Sequence, residues 1–113
     1  MPENNQLKSY LDGLYQATPE EEERILRGAF SSRDPLRLKQ IPARAKAKAV
    51  MLALLATAFE PERVYHESEV NLILRAIYED YSALRRYLVD YRYLQRTRDG
   101  SEYRLAPSAD GHG

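Results

Sequence analysis

Residues 84–104, LRRYLVDYRYLQRTRDGSEYR, hold six arginines (Arg85, Arg86, Arg92, Arg96, Arg98 and Arg104) and four tyrosines in twenty-one positions. A guanidinium presents a planar fork of donors that matches two phosphate oxygens, or the O6 and N7 of guanine. Tyrosine adds an apolar ring with a polar tip, suited to a wet surface or to the rim of a core. Phosphate and base recognition is therefore the first chemistry this stretch suggests. The alternative is that arginine and tyrosine serve as scaffold, with one member of the Arg85–Arg86 pair bound to Glu69, Glu79 or Asp80.

Catalysis finds no comparable support. His66 and His112 stand in no serine or cysteine nucleophile context, and the chain has no cysteine for a thiolate site. Glu67, Glu69 and Asn71 lack the glycine a calcium loop needs, and no Gly-rich phosphate loop is present. The expectation is a protein that is not an enzyme and carries no cofactor or metal.

The elements that must position the arginines can be read from period and punctuation. Leu7, Leu11, Leu14 and Tyr15 space a first helix over about 4–16. A second begins at Thr18-Pro19, where Thr18 and Glu21 form a capping box and glutamates fill the first turn. Its apolar face is Ile25, Leu26, Ala29 and Phe30. Two serines and two prolines in SSRDPLRLKQIP make a connector in which Leu36, Leu38 and Ile41 alternate as a short extended piece.

The Ala-rich run 43–59 predicts the strongest helix, with Val50, Met51, Leu54, Leu55 and Ala58 as its stripe. Arg44, Lys46 and Lys48 lie in its first turns, where cations oppose the helix dipole. They require an acidic neighbour, such as residues 20–23, or an anionic partner. A short strand at Val64-Tyr65 precedes a helix over 68–78 with Val70, Ile73, Leu74 and Ile77 inward, and Ser68 is placed to cap it. Asp80 then caps a helix over 80–92 that turns Tyr81, Leu84, Leu88 and Tyr91 to the core. Ser82, Arg86, Asp90 and Tyr93 fall on its opposite face, Arg85 and Arg92 nearer the buried edge. Asp99-Gly100 predicts a type I′ hairpin turn. It pairs Leu94, Arg96 and Arg98 with Leu105, Tyr103 and Ser101, and Gln95 and Thr97 with Arg104 and Glu102.

Composition sets the frame. The 113 residues are 43% hydrophobic and 30% charged, which fits one globular domain. No apolar run is long enough to span a bilayer and the first residues do not read as a signal peptide, so a cytoplasmic protein is expected. Net charge is zero, but unevenly spread. Residues 1–23 balance to −5, residues 24–58 to +7, residues 59–80 to −4 and residues 81–113 to +2. Segregation of this kind makes local fields that the total conceals.

Helix, short strand, two helices joined tightly at Tyr78-Glu79-Asp80, and a hairpin make the order of a winged helix-turn-helix. The residues that build it also resemble a known family. RVYHESEVNLILRAIYEDYSALRRYLVDYRYLQRTRDGSEYR is similar to the bacterial domain-of-unknown-function 2087 family. The shared pattern falls on Tyr65, Glu67, Glu69, Val70 and Asn71; on Asp80, Leu84, Arg85, Arg86, Leu88, Val89 and Asp90; and on Arg96 or Arg98, Gly100 and Tyr103. The resemblance covers about residues 20–105. It implies association with transcriptional regulators and no particular biochemical activity. In the family, glycine is usual where Arg92 stands, and threonine or serine where His66 stands.

These readings give a mainly α fold with a small β-hairpin, a winged helix-turn-helix with an N-terminal helical extension. The expected division is an extension over 1–32, a connector over 33–42, the winged-helix domain over 43–105 and a disordered tail over 106–113. The expected activity is regulatory binding of duplex DNA through the third helix of the winged domain and its wing. The contacts would come from Ser82, Arg85, Arg86, Arg92, Arg96, Arg98 and Arg104, with Arg44 and Lys48 on flanking phosphate. The other reading, since fold does not dictate function, is a winged helix used for protein interaction or for homodimerisation through the N-terminal helices, residues 4–30.

Overall fold

The computed structural model describes residues 16–107. Residues 4–15 of the expected first helix, and most of the surface it would offer a second copy, fall outside those residues, as do positions 108–113 of the tail. The described chain runs α1 (Pro19–Ala29), β1 (Phe30–Arg33), β2 (Leu36–Leu38), α2 (Ala45–Ala56), β3 (Tyr65–His66), α3 (Glu67–Arg75), α4 (Tyr81–Asp90), β4 (Leu94–Arg96) and β5 (Glu102–Leu105). It is a mixed arrangement of helices and two small antiparallel sheets, richer in strand than one hairpin.

The local signals account for most boundaries. Thr18 Oγ1 accepts from the Glu21 N–H at 3.1 Å while the Thr18 N–H donates to Glu21 Oε1 at 2.9 Å, the reciprocal capping box. Asp80 Oδ1 accepts from the Ala83 N–H and starts α4. The start of α3 differs from expectation. His66 is the N-cap, its N–H donating to Glu69 Oε1 at 2.8 Å, so Ser68 lies inside the helix. The Glu67 N–H donates to Ser101 O at 3.0 Å. One of the amides a helix start leaves without an intrahelical partner is thus satisfied by the hairpin.

Residues 30–38 depart further from the sequence reading. Phe30 leaves α1 for β1, and β1 pairs with β2 around a cis Asp34–Pro35 bond, with a bulge between Phe30 and Ser32. The Leu38 N–H donates to Ile77 O at 3.0 Å and the Lys39 N–H to Ala29 O at 2.8 Å. Phe30 and Leu38 are buried in the same core as Met51, Leu52, Leu55, Leu74, Leu84, Leu88 and Leu94. Alternation of Leu36 and Leu38 was visible in the sequence, but their partner strand was hidden within an apparent helix end.

The second sheet has the order β3-β5-β4. Its register matches the expected one, with Leu94 opposite Leu105, Gln95 opposite Arg104 and Arg96 opposite Tyr103. The turn does not match. Only Gly100 has positive φ there, at 75°, whereas type I′ needs it at both central residues. The loop is longer because Asp99 Oδ1 accepts from the Thr97 hydroxyl and from the Ser101 N–H and hydroxyl. The Gly100 N–H donates to Thr97 O and the Thr97 N–H to Glu102 O.

Helix α4 ends at Asp90, earlier than its apolar spacing implied. Arg92 takes φ 68°, the left-handed conformation that favours glycine. Around it the Tyr93 N–H donates to Leu88 O at 2.8 Å and the Arg92 N–H to Val89 O at 3.0 Å, the pair of bonds of a Schellman ending. Tyr93, expected on the exposed face, is instead turned back so that its hydroxyl donates to Ala49 O on α2 at 3.2 Å. Tyr65 and Tyr103 are buried as expected, and the Tyr65 hydroxyl accepts from the Glu60 N–H at 2.7 Å.

Candidate nucleic-acid interface

Leu84 and Leu88 are fully buried, which turns the other side of α4 outward and leaves Ser82, Arg86 and Asp90 exposed as the helical period requires. Beside that face lies the β3-β5-β4 sheet. An open groove of about 570 Å³ runs between them. The capping Asp80 and Ser82, Ala83, Arg85, Arg86, Val89 and Asp90 of α4 line one wall, and Arg96 and Tyr103 of the sheet line the other. Four of the nominated residues (Ser82, Arg85, Arg86 and Arg96) therefore meet in one place, together with two carboxylates. Arg44, Arg92, Arg98 and Arg104 lie outside the groove and are exposed.

The adjacent arginines of α4 have different surroundings. Arg85 Nη1 donates to Asn71 Oδ1, and its Nη2 lies 3.7 Å from Glu67 Oε2, so it ties α4 to α3. Its side chain is only 22% exposed. One arginine of the pair was expected to hold these helices together; the partners are Glu67 and Asn71 instead of Glu69, Glu79 or Asp80. Arg86 is exposed, with its Cζ 5.3 Å from the Tyr87 ring centroid.

That ring has a second cation. Lys48 Nζ, on α2, lies 4.3 Å from the Tyr87 centroid. Lys48 of α2 and Arg86 of α4 thus both approach the one Tyr87 ring, an arrangement only the fold reveals. The first turns of α2 contain no acid. Of their three cations, Lys46 is neutralised by Glu21, at 3.0 Å, as the acidic stretch 20–23 suggested. Arg44 is the N-cap residue and makes no side-chain capping bond.

Arg96 has another task within the hairpin. Its Nη1 donates to Thr97 O at 3.1 Å and Arg98 O at 3.3 Å, and it closes over Gly100. Among the described residues none of Arg44, Lys48, Arg86, Arg92, Arg96, Arg98 or Arg104 is within salt-bridge distance of a carboxylate.

The carboxylates that titrate low are elsewhere. Hydrogen bonding to the Thr18 amide and then to Lys46 holds Glu21 below its ordinary value. Arg33 does so for Glu23, with bonds of 2.9 and 3.1 Å, and the His66 amide followed by Arg63 does so for Glu69. The hydroxyls of Thr97 and Ser101 lower Asp99. These groups organise the scaffold. Among the described residues no cluster of histidines and acids could hold a metal, and no helix is long and apolar enough to cross a membrane.

The match to a family model comes from the region that carries this geometry. Residues 37–105 match the model of a family described as an uncharacterized protein conserved in bacteria, domain of unknown function 2087. The match spans more than half of the chain, and the chain belongs to that family. Comparison with curated proteins and with solved structures gives no match.

Proposed function

We propose that this member of the family is a regulatory protein of the winged helix-turn-helix type that binds duplex DNA through α4 and the β4–β5 wing. The order α2, β3, α3, α4, β4, β5, with β3 paired to β5, supports the architecture. In such folds the second of the paired helices enters the major groove, which gives α4 that place and presents Ser82, Arg86 and Asp90 to the DNA.

One observation carries the reading. Of the six arginines between residues 84 and 104, Arg85 alone is ion-paired among the described residues. The remaining five are exposed cations with no carboxylate partner, and of these only Arg96 is engaged by hairpin carbonyls. Wing residues Arg98 and Arg104 and Arg44, the residue that caps α2, are assigned to backbone phosphates, which position a protein on the duplex without reading sequence. Arg85 is assigned to the scaffold.

A second reading, a protein-interaction module, is favoured by Leu72 on α3 and Val64 beside β3. These are large apolar side chains 60% and 50% exposed. Asp80 and Asp90 in the groove also repel phosphate.

Fluorescence anisotropy of the full chain on a mixed-sequence duplex separates the two. With about four phosphates neutralised, affinity falls about a hundredfold between about 50 and 200 mM salt. Absence of binding at the lower salt contradicts DNA recognition and directs the search to a protein partner.

A further inference from the structure

We infer that Arg37 and Lys39, on and just beyond β2, form a second phosphate-binding edge of the duplex interface, beside the N-terminal end of α4; this rests on the DNA-binding reading above. Leu38 between them is buried in the core. Arg37 alternates with it along β2 and so turns outward, and both Arg37 and Lys39 are exposed. The Leu38 N–H donates to Ile77 O at 3.0 Å, which ties this backbone to the turn that runs through Asp80 into α4. In a helix-turn-helix the N-terminal residues of the recognition helix contact base edges. The phosphates that flank those bases therefore pass this end of α4.

Ion pairing around the segment is selective. Glu23 takes Arg27 and Arg33, and Glu21 takes Lys46. Residues 37–44 carry Arg37, Lys39 and Arg44 with no acid. Among the described residues none of the three meets a carboxylate, Glu79 and Asp80 at the turn included. The backbone beneath them is pinned. The Lys39 N–H donates to Ala29 O at 2.8 Å, the Gln40 N–H to the same carbonyl at 3.3 Å and Gln40 Nε2 to Gly28 O at 3.2 Å. Unpaired cations on a fixed stretch of backbone make a preorganised basic edge, which complements the closely spaced charges of a phosphate backbone. Two contacts here, added to those of Arg86, Arg98, Arg104 and Arg44, steepen the slope of log affinity against log salt to about −5.

The test measures that slope for the full chain on several duplexes of unrelated sequence, with each variant checked by thermal unfolding. Arg37→Gln with Lys39→Gln removes both cations from exposed positions. Arg24→Gln with Arg27→Gln removes the same charge from α1, which the reading leaves out of the interface. The first pair should make the slope shallower by about two and weaken binding by the same factor on every duplex. The second should leave the slope at its wild-type value. If the wild type binds and the Arg37–Lys39 variant keeps its slope, the edge is wrong while recognition by α4 and the wing stands. An equal loss in both pairs would mean that net charge sets the slope, and overturns the edge as well. A wild type that binds no duplex brings down both readings.

Discussion

Arg85 on α4 donates a hydrogen bond to the side chain of Asn71 on α3, fourteen positions earlier. With Glu67 nearby, this contact fixes how the two helices meet, and so how α4 presents its exposed face. Arg85→Met leaves Asn71 without its donor and is expected to lower stability by about 1 kcal/mol. The ion pair to the half-exposed Glu67 adds little. Denaturant unfolding should show that loss. The salt slope for DNA should keep its wild-type value, because no phosphate contact has been removed.

Arg92 offers the opposite sign. It occupies a left-handed position at the end of α4 that costs an L-residue about 1–2 kcal/mol. Arg92→Gly should therefore raise stability by about 1 kcal/mol, read as a higher denaturant midpoint at unchanged slope. A decrease would mean that the Arg92 side chain contributes more than its backbone costs.

Acid should loosen the fold through a defined set of groups. Glu21, Glu23, Glu69 and Asp99 all titrate below their ordinary values. A group with a depressed folded value stabilises the protein above its ordinary value and loses that contribution as pH falls through the folded one. The thermal midpoint should thus decline as pH is lowered below about 4.5, the ordinary value for glutamate. Glu21→Gln and Asp99→Asn should each start lower at neutral pH and decline less. A wild-type midpoint that stays level through that range would contradict the assignment.

These examples also show what was legible in the residues. Thr18 with Glu21, and Asp80 before α4, announce helix starts because a cap is a contact over three positions. The β4–β5 register was readable for the same reason: it follows from a turn and two alternating strands. The β1–β2 hairpin was not, since Phe30 continues the apolar face of α1 and only tertiary burial pulls it into a strand. Apolar spacing alone carries α4 through Arg92; the glycine usual at that position in the family is what pointed to a left-handed ending, which Arg92 adopts as the strained alternative. For the candidate site, the exposed row Ser82, Arg86 and Asp90 followed from helical period. Lys48 over the Tyr87 ring did not, because it depends on how α2 crosses α4.

The core is a further check on the frame that holds α4. Leu84 and Leu88 are both fully buried. Leu84→Ala should destabilise by about 2–5 kcal/mol, measured by chemical unfolding. A loss below about 1 kcal/mol would mean the helix is not seated as described.

The most direct measurement is the slope of log affinity against log salt for a mixed-sequence duplex, in the wild type and in an Arg98→Ala, Arg104→Ala double variant. With Arg86, the two wing arginines and Arg44 each taking one phosphate, these four should contribute about −3 to −4 to the wild-type slope. Removing both wing charges should make it shallower by about two, with the fold intact by thermal unfolding. A wild type that binds no duplex, or a slope that the wing substitutions leave unchanged, would contradict DNA recognition by α4 and the wing.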